Sequence, residues 1–355
     1  MTAPTADSHQ LFRYHFIMSD TPQAMRAVQL TNYDGRPESI IFIDNLPVPQ
    51  PGPGQVLVKV AASPINPSDL AFIAGMYGFK KPLPTVPGFE GSGIVVATGS
   101  GAMARFLKGK RVACTVADAK IPGGMWAEYV VTSAQLCIPL AKNVNLEQGA
   151  MMLVNPISAW AMVEEARKAD HKAIVQTAAA SALGKMVVRL GKRFSLPVIN
   201  VVRRAEQVEA LRQVGAEHVL DSSAADFDAK LKDLCNKLSA TYGIDSVAGE
   251  TTGRVLRAQP KGSRMYVYGA LSLKACEIDP GSLIFEGKVI AGFWVSGWLA
   301  RKSLIEKLRI ARQIQSLLGT DLKSDVQSKM PLQDAAQAIQ QYMKNMTGGK
   351  VLIVP

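Results

Sequence analysis

The chain has 355 residues, enough for two domains with substantial cores. Its 48% apolar and 19% charged content excludes a disordered protein, and no apolar run approaches the roughly 18 to 20 residues that span a bilayer. A net charge of +11 favours anionic ligands, yet the basic residues are scattered and not interleaved with aromatics, so nucleic acid is a poor partner.

The first two dozen residues lack the apolar stretch of a secretory signal and carry Asp7 and Asp20 against a single arginine, Arg13. They predict a frayed tail over residues 1–24, with the first domain starting near Met25. From there to about Asn145 the pattern is short strands between Gly/Pro turns: "AVQLTNYDG", "LPVPQPGPGQVLVKVAAS", "GSGIVVATGSG", "GKRVACTV" and "WAEYVVTS". Val56, Val58 and Val60 alternate directly after Pro51-Gly52-Pro53-Gly54. These residues predict a partly open β-barrel over 25–150. Four cysteines, Cys114, Cys137, Cys235 and Cys276, lie far apart with no C-x-x-C pair. That spacing predicts reduced thiols in a cytoplasmic setting and no disulfide frame.

At Asn155-Pro156 the character changes, with Asn155 as N-cap and Pro156 at the first position of a helix through Lys168. Strands "AIVQTA", "VINVV", "HVL", "IDSVA" and "RMYVYGA" then alternate with helices over Ala182–Phe194, Ala205–Val214 and Phe227–Leu238. Val/Ile-rich strands alternating with helices of this length predict an α/β fold with a doubly wound parallel sheet, spanning 151–300. Helices near Ser303–Leu318 and Leu332–Met346 and a closing strand "KVLIVP" make up 301–355.

Within the second domain, "QTAAASALGKMVVRL" is strand, small-residue turn and helix. The three small positions of a dinucleotide-binding turn fall on Ala179, Ser181 and Gly184, and Leu183, Met186, Val187, Leu190 and Phe194 repeat at helical spacing. The N-terminus of this helix, at Ala182 and Leu183, presents free N–H groups to an anion. An alanine-rich core helix beginning the same way is the alternative. About twenty residues on, where an NAD-type site carries an acid, stand Arg203 and Arg204, whose guanidinium groups suit a 2′-phosphate. The expected ligand is NADPH; the alternative is two solvated arginines.

A barrel domain, a dinucleotide domain and a return to the first resemble the medium-chain dehydrogenase/reductase superfamily, from Met25 to Pro355. "INPSDL", "VPGFEGSGIVVATG", "GGMWAEYVV" and "GGKVLIVP" are similar to its zinc-free branch, in which the barrel is GroES-like. "GMYGFKKPLP" (75–84), "VNPISAW" (154–160) and "SLIFEGKVIAGFWVSGWL" (282–299) resemble the 2-enoyl thioester reductases more than the quinone oxidoreductases. Zinc-dependent members carry ligands at the places of Asn66, Phe89 and Val154, and none of these is a normal zinc side chain, so the resemblance implies no metal.

The resemblance also assigns roles. Tyr77 becomes the proton donor, against a plain loop anchor between Gly75 and Gly78. Asn66 faces nicotinamide or substrate carbonyl, against an Asx-turn before Pro67. Ser158, Tyr268, Phe293 and Lys350 fall in the cofactor-binding set and Trp294 in the acyl pocket, with core packing the alternative for the two aromatics at 293 and 294. Glu90 lies in a family segment without an assigned role. The implied protein is an NADPH-dependent reductase of an enoyl thioester, with a quinone or enone reductase second and a nucleic-acid-contacting cofactor binder third. A homodimer through the strand "KVIAGFWV" is expected.

Overall fold

The computed structural model describes residues 21–116, 119–120 and 122–355; the expected tail lies outside these up to residue 20. In chain order the first part comprises β1 (Ala24–Leu30), β2 (Ile40–Pro47), β3 (Gln55–Pro64), α1 (Pro67–Ile73), β4 (Glu90–Thr98) and α2 (Ala102–Leu107). It continues with β5 (Arg111–Thr115), β6 (Tyr129–Ser133), β7 (Cys137–Pro139) and α3 (Leu146–Ala150). The second part runs α4 (Asn155–Lys168), β8 (Ile174–Gln176), α5 (Ala182–Arg193), β9 (Val198–Val202), α6 (Ala205–Gln213), β10 (His218–Asp221) and α7 (Phe227–Lys237). Then come β11 (Tyr242–Asp245), α8 (Glu250–Ala258), β12 (Arg264–Val267), α9 (Pro280–Ile284), β13 (Val289–Gly292), α10 (Val295–Ala300) and α11 (Leu304–Leu317). β14 (Val326–Pro331), α12 (Ala335–Lys344) and β15 (Lys350–Val354) close the chain.

β8 to β13 form a parallel sheet in the order β10-β9-β8-β11-β12-β13. The order reverses between β8 and β9 on one side and β11 on the other, so a crevice opens beyond the carboxyl ends of β8 and β11. The barrel sheet runs β14-β15-β3-β4-β5-β7 with β6 also on β3, and β1-β2 pair separately. β15 lies antiparallel to β3, so the last residues complete the first domain's sheet. α11 instead packs on α4, with Ile310, Ile314 and Leu317 in the core shared by α4 and α5. The chain therefore re-enters the barrel at β14, later than residue 301.

Local chemistry accounts for several boundaries. α4 begins at Asn155 as expected, but Val154 holds the cap position and Asn155 is already helical. β11 lies earlier than "IDSVA" suggests, because the Asp245 carboxylate accepts the N–H groups of Val247 and Ala248 and turns the chain there. The chain leaves β13 at Gly292, before Trp294, which caps α10. Among the described residues no helix is long and apolar enough to cross a membrane.

Candidate functional site

The turn after β8 is built from small residues under tight constraint. Ala178 takes a left-handed φ of 46°, unusual for a residue with a Cβ, and Ala179 N–H donates to Val201 O at 3.2 Å. A Cβ on Gly184 would meet the Ala179 carbonyl oxygen at 2.3 Å, so only glycine lets α5 seat against the turn. Ser181 caps α5, its hydroxyl accepting Gly184 N–H at 3.1 Å. That leaves the N–H groups of Ala182 and Leu183 in the first turn outside the helix's own ladder, pointing the way an anion is bound. Thr177 Oγ1 donates to Asp245 Oδ1 at 2.5 Å, tying together the ends of β8 and β11 at the mouth of the crevice.

At the end of β9, Arg203 and Arg204 are both exposed, and Arg204 pairs with Glu206 at 3.1 Å. No acid occupies the strand end; the donors there are guanidinium groups. Tyr268 sits just past β12, its phenol pushed up to about 12 by burial and eased by the Ser246 hydroxyl. Phe293 is 9% exposed and belongs to the core beside α4 and α5. Ser158, on the buried face of α4, donates its hydroxyl to Val154 O at 2.6 Å. A small-residue turn, a free helix N-terminus and paired guanidinium groups at the neighbouring strand end fit a phosphorylated dinucleotide.

On the barrel side, Tyr77 and Trp294 meet although 217 residues separate them: Trp294 Nε1 donates to Tyr77 OH at 3.1 Å. The half-buried Tyr77 ring packs on Phe79 and Phe89, with centroids 5.1 and 4.7 Å away. Burial raises the phenol's pKa; the indole bond opposes this and the nearby Asp69 carboxyl adds to it. The phenol therefore stays protonated at neutral pH. Its oxygen already accepts from Trp294, which leaves its O–H free to donate elsewhere.

Beneath this pair is a fully enclosed polar cluster. Asn66 Nδ2 donates to Glu90 Oε1 at 2.8 Å, and its Oδ1 accepts from Lys350 Nζ. Glu90 Oε2 accepts the N–H groups of Leu153 and Val154 at 2.9 and 3.0 Å, pinning the chain where it crosses into the second domain. Asp69 accepts Asn66 N–H at 2.8 Å and Phe89 N–H at 2.9 Å, which fixes the ring under Tyr77. Burial pushes Asp69 up to about 7 and also raises Glu90, while it lowers Lys350 to about 8. The structure thus places Asn66 and Lys350 in the interior, bonded to each other.

Two family models match the chain: "Alcohol dehydrogenase GroES-like domain" over residues 52–142 and "Zinc-binding dehydrogenase" over 182–310. The mitochondrial enoyl-[acyl-carrier-protein] reductase of Arabidopsis thaliana is 32% identical over 291 residues, covering 80% of this chain and 75% of that protein. The chain belongs to the medium-chain dehydrogenase/reductase superfamily. The Xenopus tropicalis enoyl-[acyl-carrier-protein] reductase is 27% identical over 90% of this chain and 93% of its own. A crystal structure from Mesorhizobium loti, of a protein assigned provisionally as an NADPH:quinone reductase, is 36% identical with a TM-score of 0.88 and covers 94% of this chain and 99% of that one. The enoyl thioester reductase of Candida tropicalis shares the fold, with a TM-score of 0.75 at 23% identity over 94% of this chain and all of that one. As a member of this superfamily the protein is an oxidoreductase that takes a nicotinamide cofactor and a small-molecule substrate.

Sequence reasoning passed over three residues that hold the site. Asp69 was legible as the acid three residues after a helix-capping Asn66. Phe89 drew attention only as a missing ligand, and Asp245 only as part of a strand; their roles depend on contacts between segments far apart in sequence.

Proposed function

We propose that the protein is a zinc-independent, NADPH-dependent reductase of carbon–carbon double bonds conjugated to a carbonyl, with a trans-2-enoyl thioester as its substrate. The bond from Trp294 to Tyr77 carries the reading: a protonated phenol has its oxygen engaged by an indole and its proton available, at the junction of the two domains. Arg203 and Arg204, with the first turn of α5, would hold the 2′-phosphate and pyrophosphate of NADPH, and Tyr268 and Phe293 would line the cofactor's crevice. Bound, the cofactor supplies a hydride to the β-carbon.

The chain's own residues handle the charge that follows. As the β-carbon is reduced, negative charge builds on the thioester oxygen, and Tyr77 delivers a proton to the α-carbon, directly or through one water. Asp69 and Phe89 keep the Tyr77 ring in place, while Glu90 holds Leu153 and Val154, next to Ser158 on α4. The absence of a zinc role is supported by the Asn66 amide, committed at both ends to Glu90 and Lys350, and by the Phe89 ring. A second reading, quinone or enone reduction at the same site, draws on the likeness to the Mesorhizobium loti protein. In either case we place the protein in the cytoplasm, although the curated relatives named above are mitochondrial, and as a homodimer paired along β13. That strand is the outer edge of the parallel sheet, and Ile284 and Phe285, at the end of α9 a few residues before it, are 70% and 81% exposed.

Deuterium tracing tests the proposed function. With NADPH deuterated at the transferred position, the label should appear on the β-carbon of the saturated acyl product. Unlabelled acyl product, or no acyl product while NADPH is oxidised, contradicts it.

A further inference from the structure

Cys114 and Cys137 are distant in sequence but directly opposite in the barrel, paired across the antiparallel strands β5 and β7. Residues opposed in this way point to the same face, with Cα atoms about 4.5 or 5.5 Å apart, and both spacings lie within the range a disulfide spans. The two side chains share one apolar cluster, with Val112, Val116, Met125 and Val130. Cys137 donates its thiol hydrogen to Ser133 O at 3.6 Å. Nothing in the proposed reaction uses either sulfur.

We propose that Cys114 and Cys137 form a reversible disulfide, a redox-dependent staple joining the edge strand β7 to β5. β7 has three residues and pairs on one side only, so local opening at the edge exposes Cys137 first. The neighbouring Cys137 side chain, together with enclosure, raises the Cys114 pKa and keeps its thiol unreactive in the closed state. With a hydroperoxide as oxidant, the Cys137 sulfur attacks the peroxide oxygen. The O–O bond breaks, a sulfenic acid forms and an alcohol (water, for hydrogen peroxide) leaves. The Cys114 sulfur then displaces the hydroxyl from Cys137, which departs as water with the Cys114 proton. In total, two thiols lose two protons and two electrons, and the peroxide is reduced. The bond closes a loop of roughly two dozen residues, a length at which a disulfide restricts the unfolded chain appreciably. That loop includes Trp126, which belongs to the same buried core as Phe89.

The test treats the full-length protein with hydrogen peroxide, alkylates the remaining thiols and maps tryptic peptides. The proposal expects peptides 112–120 and 121–142 joined with a loss of 2 Da, reversal by dithiothreitol, and a thermal midpoint raised by a few degrees. Cys137→Ser should abolish both the link and the midpoint rise; should that variant not fold, the peptide map and midpoint of the wild-type chain decide alone. Oxidation confined to the more exposed Cys276, or a linked protein that unfolds at lower temperature, overturns the proposal.

Discussion

Replacing Tyr77 with phenylalanine removes one oxygen from the point on which the proposed chemistry rests. The ring keeps its contacts with Phe79 and Phe89, at 5.1 and 4.7 Å, so the aromatic cluster stays filled. The Trp294 indole N–H loses its acceptor, but Trp294 is 53% exposed and water can take the bond. The stability cost should therefore stay under about 1 kcal/mol, below that of an orphaned buried donor. Catalysis should suffer far more, since a positioned general acid contributes about 10²- to 10⁴-fold, or roughly 3 to 5 kcal/mol of barrier. Single-turnover stopped-flow with NADPH and an enoyl thioester should show this loss in the chemical step, with NADPH binding unchanged. Trp294→Phe, which removes the hydrogen-bond donor and part of the ring, should cost about tenfold or less. An unchanged chemical rate in Tyr77→Phe would refute the assignment and return Tyr77 to a loop anchor.

Replacing both Arg203 and Arg204 with glutamine should weaken NADPH binding by about 2 kcal/mol and leave NADH binding nearly unchanged, as titration calorimetry can show. The lower end of the charge-assisted range is expected because Arg204 must first give up Glu206. Gly184→Ala forces a methyl against backbone atoms of Ala179 2.3 to 2.7 Å away, so it should destabilise the fold by about 1 to 3 kcal/mol and loosen the cofactor, read by denaturant unfolding and NADPH fluorescence. Asp69 titrates near 7 in the folded protein against 3.8 ordinarily, so its stabilising share is complete below about pH 4 and is lost as pH rises through 7. Asp69→Asn, which cannot titrate, should flatten that part of a urea-stability profile measured between pH 4 and 8.

The second domain was the more legible half because its periodicity is local. α5 shows its buried stripe within one window, and α4, β9 and α11 lie within a residue or so of where caps and hydrophobic spacing put them. The barrel was harder to read. β2, with mixed exposure along Ile40–Pro47, was missed because it pairs only with β1 and never alternates cleanly. α1, at seven residues, is too short for a periodic signal and depends on its capping residues. At the site, the glycine-poor turn was readable from residue size, whereas the left-handed place falls on Ala178, which composition does not mark. The Tyr77–Trp294 contact, the Asn66–Glu90–Lys350 cluster and the Cys114–Cys137 pair all join segments that only the folded sheet brings together. No local pattern encodes them.

Substrate choice is read most directly from kcat/KM for NADPH oxidation across trans-2-enoyl thioesters and simple quinones under one set of conditions. Reduction of a thioester needs a proton placed on one carbon, which Tyr77 is positioned to give, while a quinone takes its protons readily from water. A preference of at least about tenfold for a short or medium enoyl thioester is expected, roughly 1.4 kcal/mol in transition-state binding. Brisk quinone turnover with no measurable reduction of any enoyl thioester would contradict it.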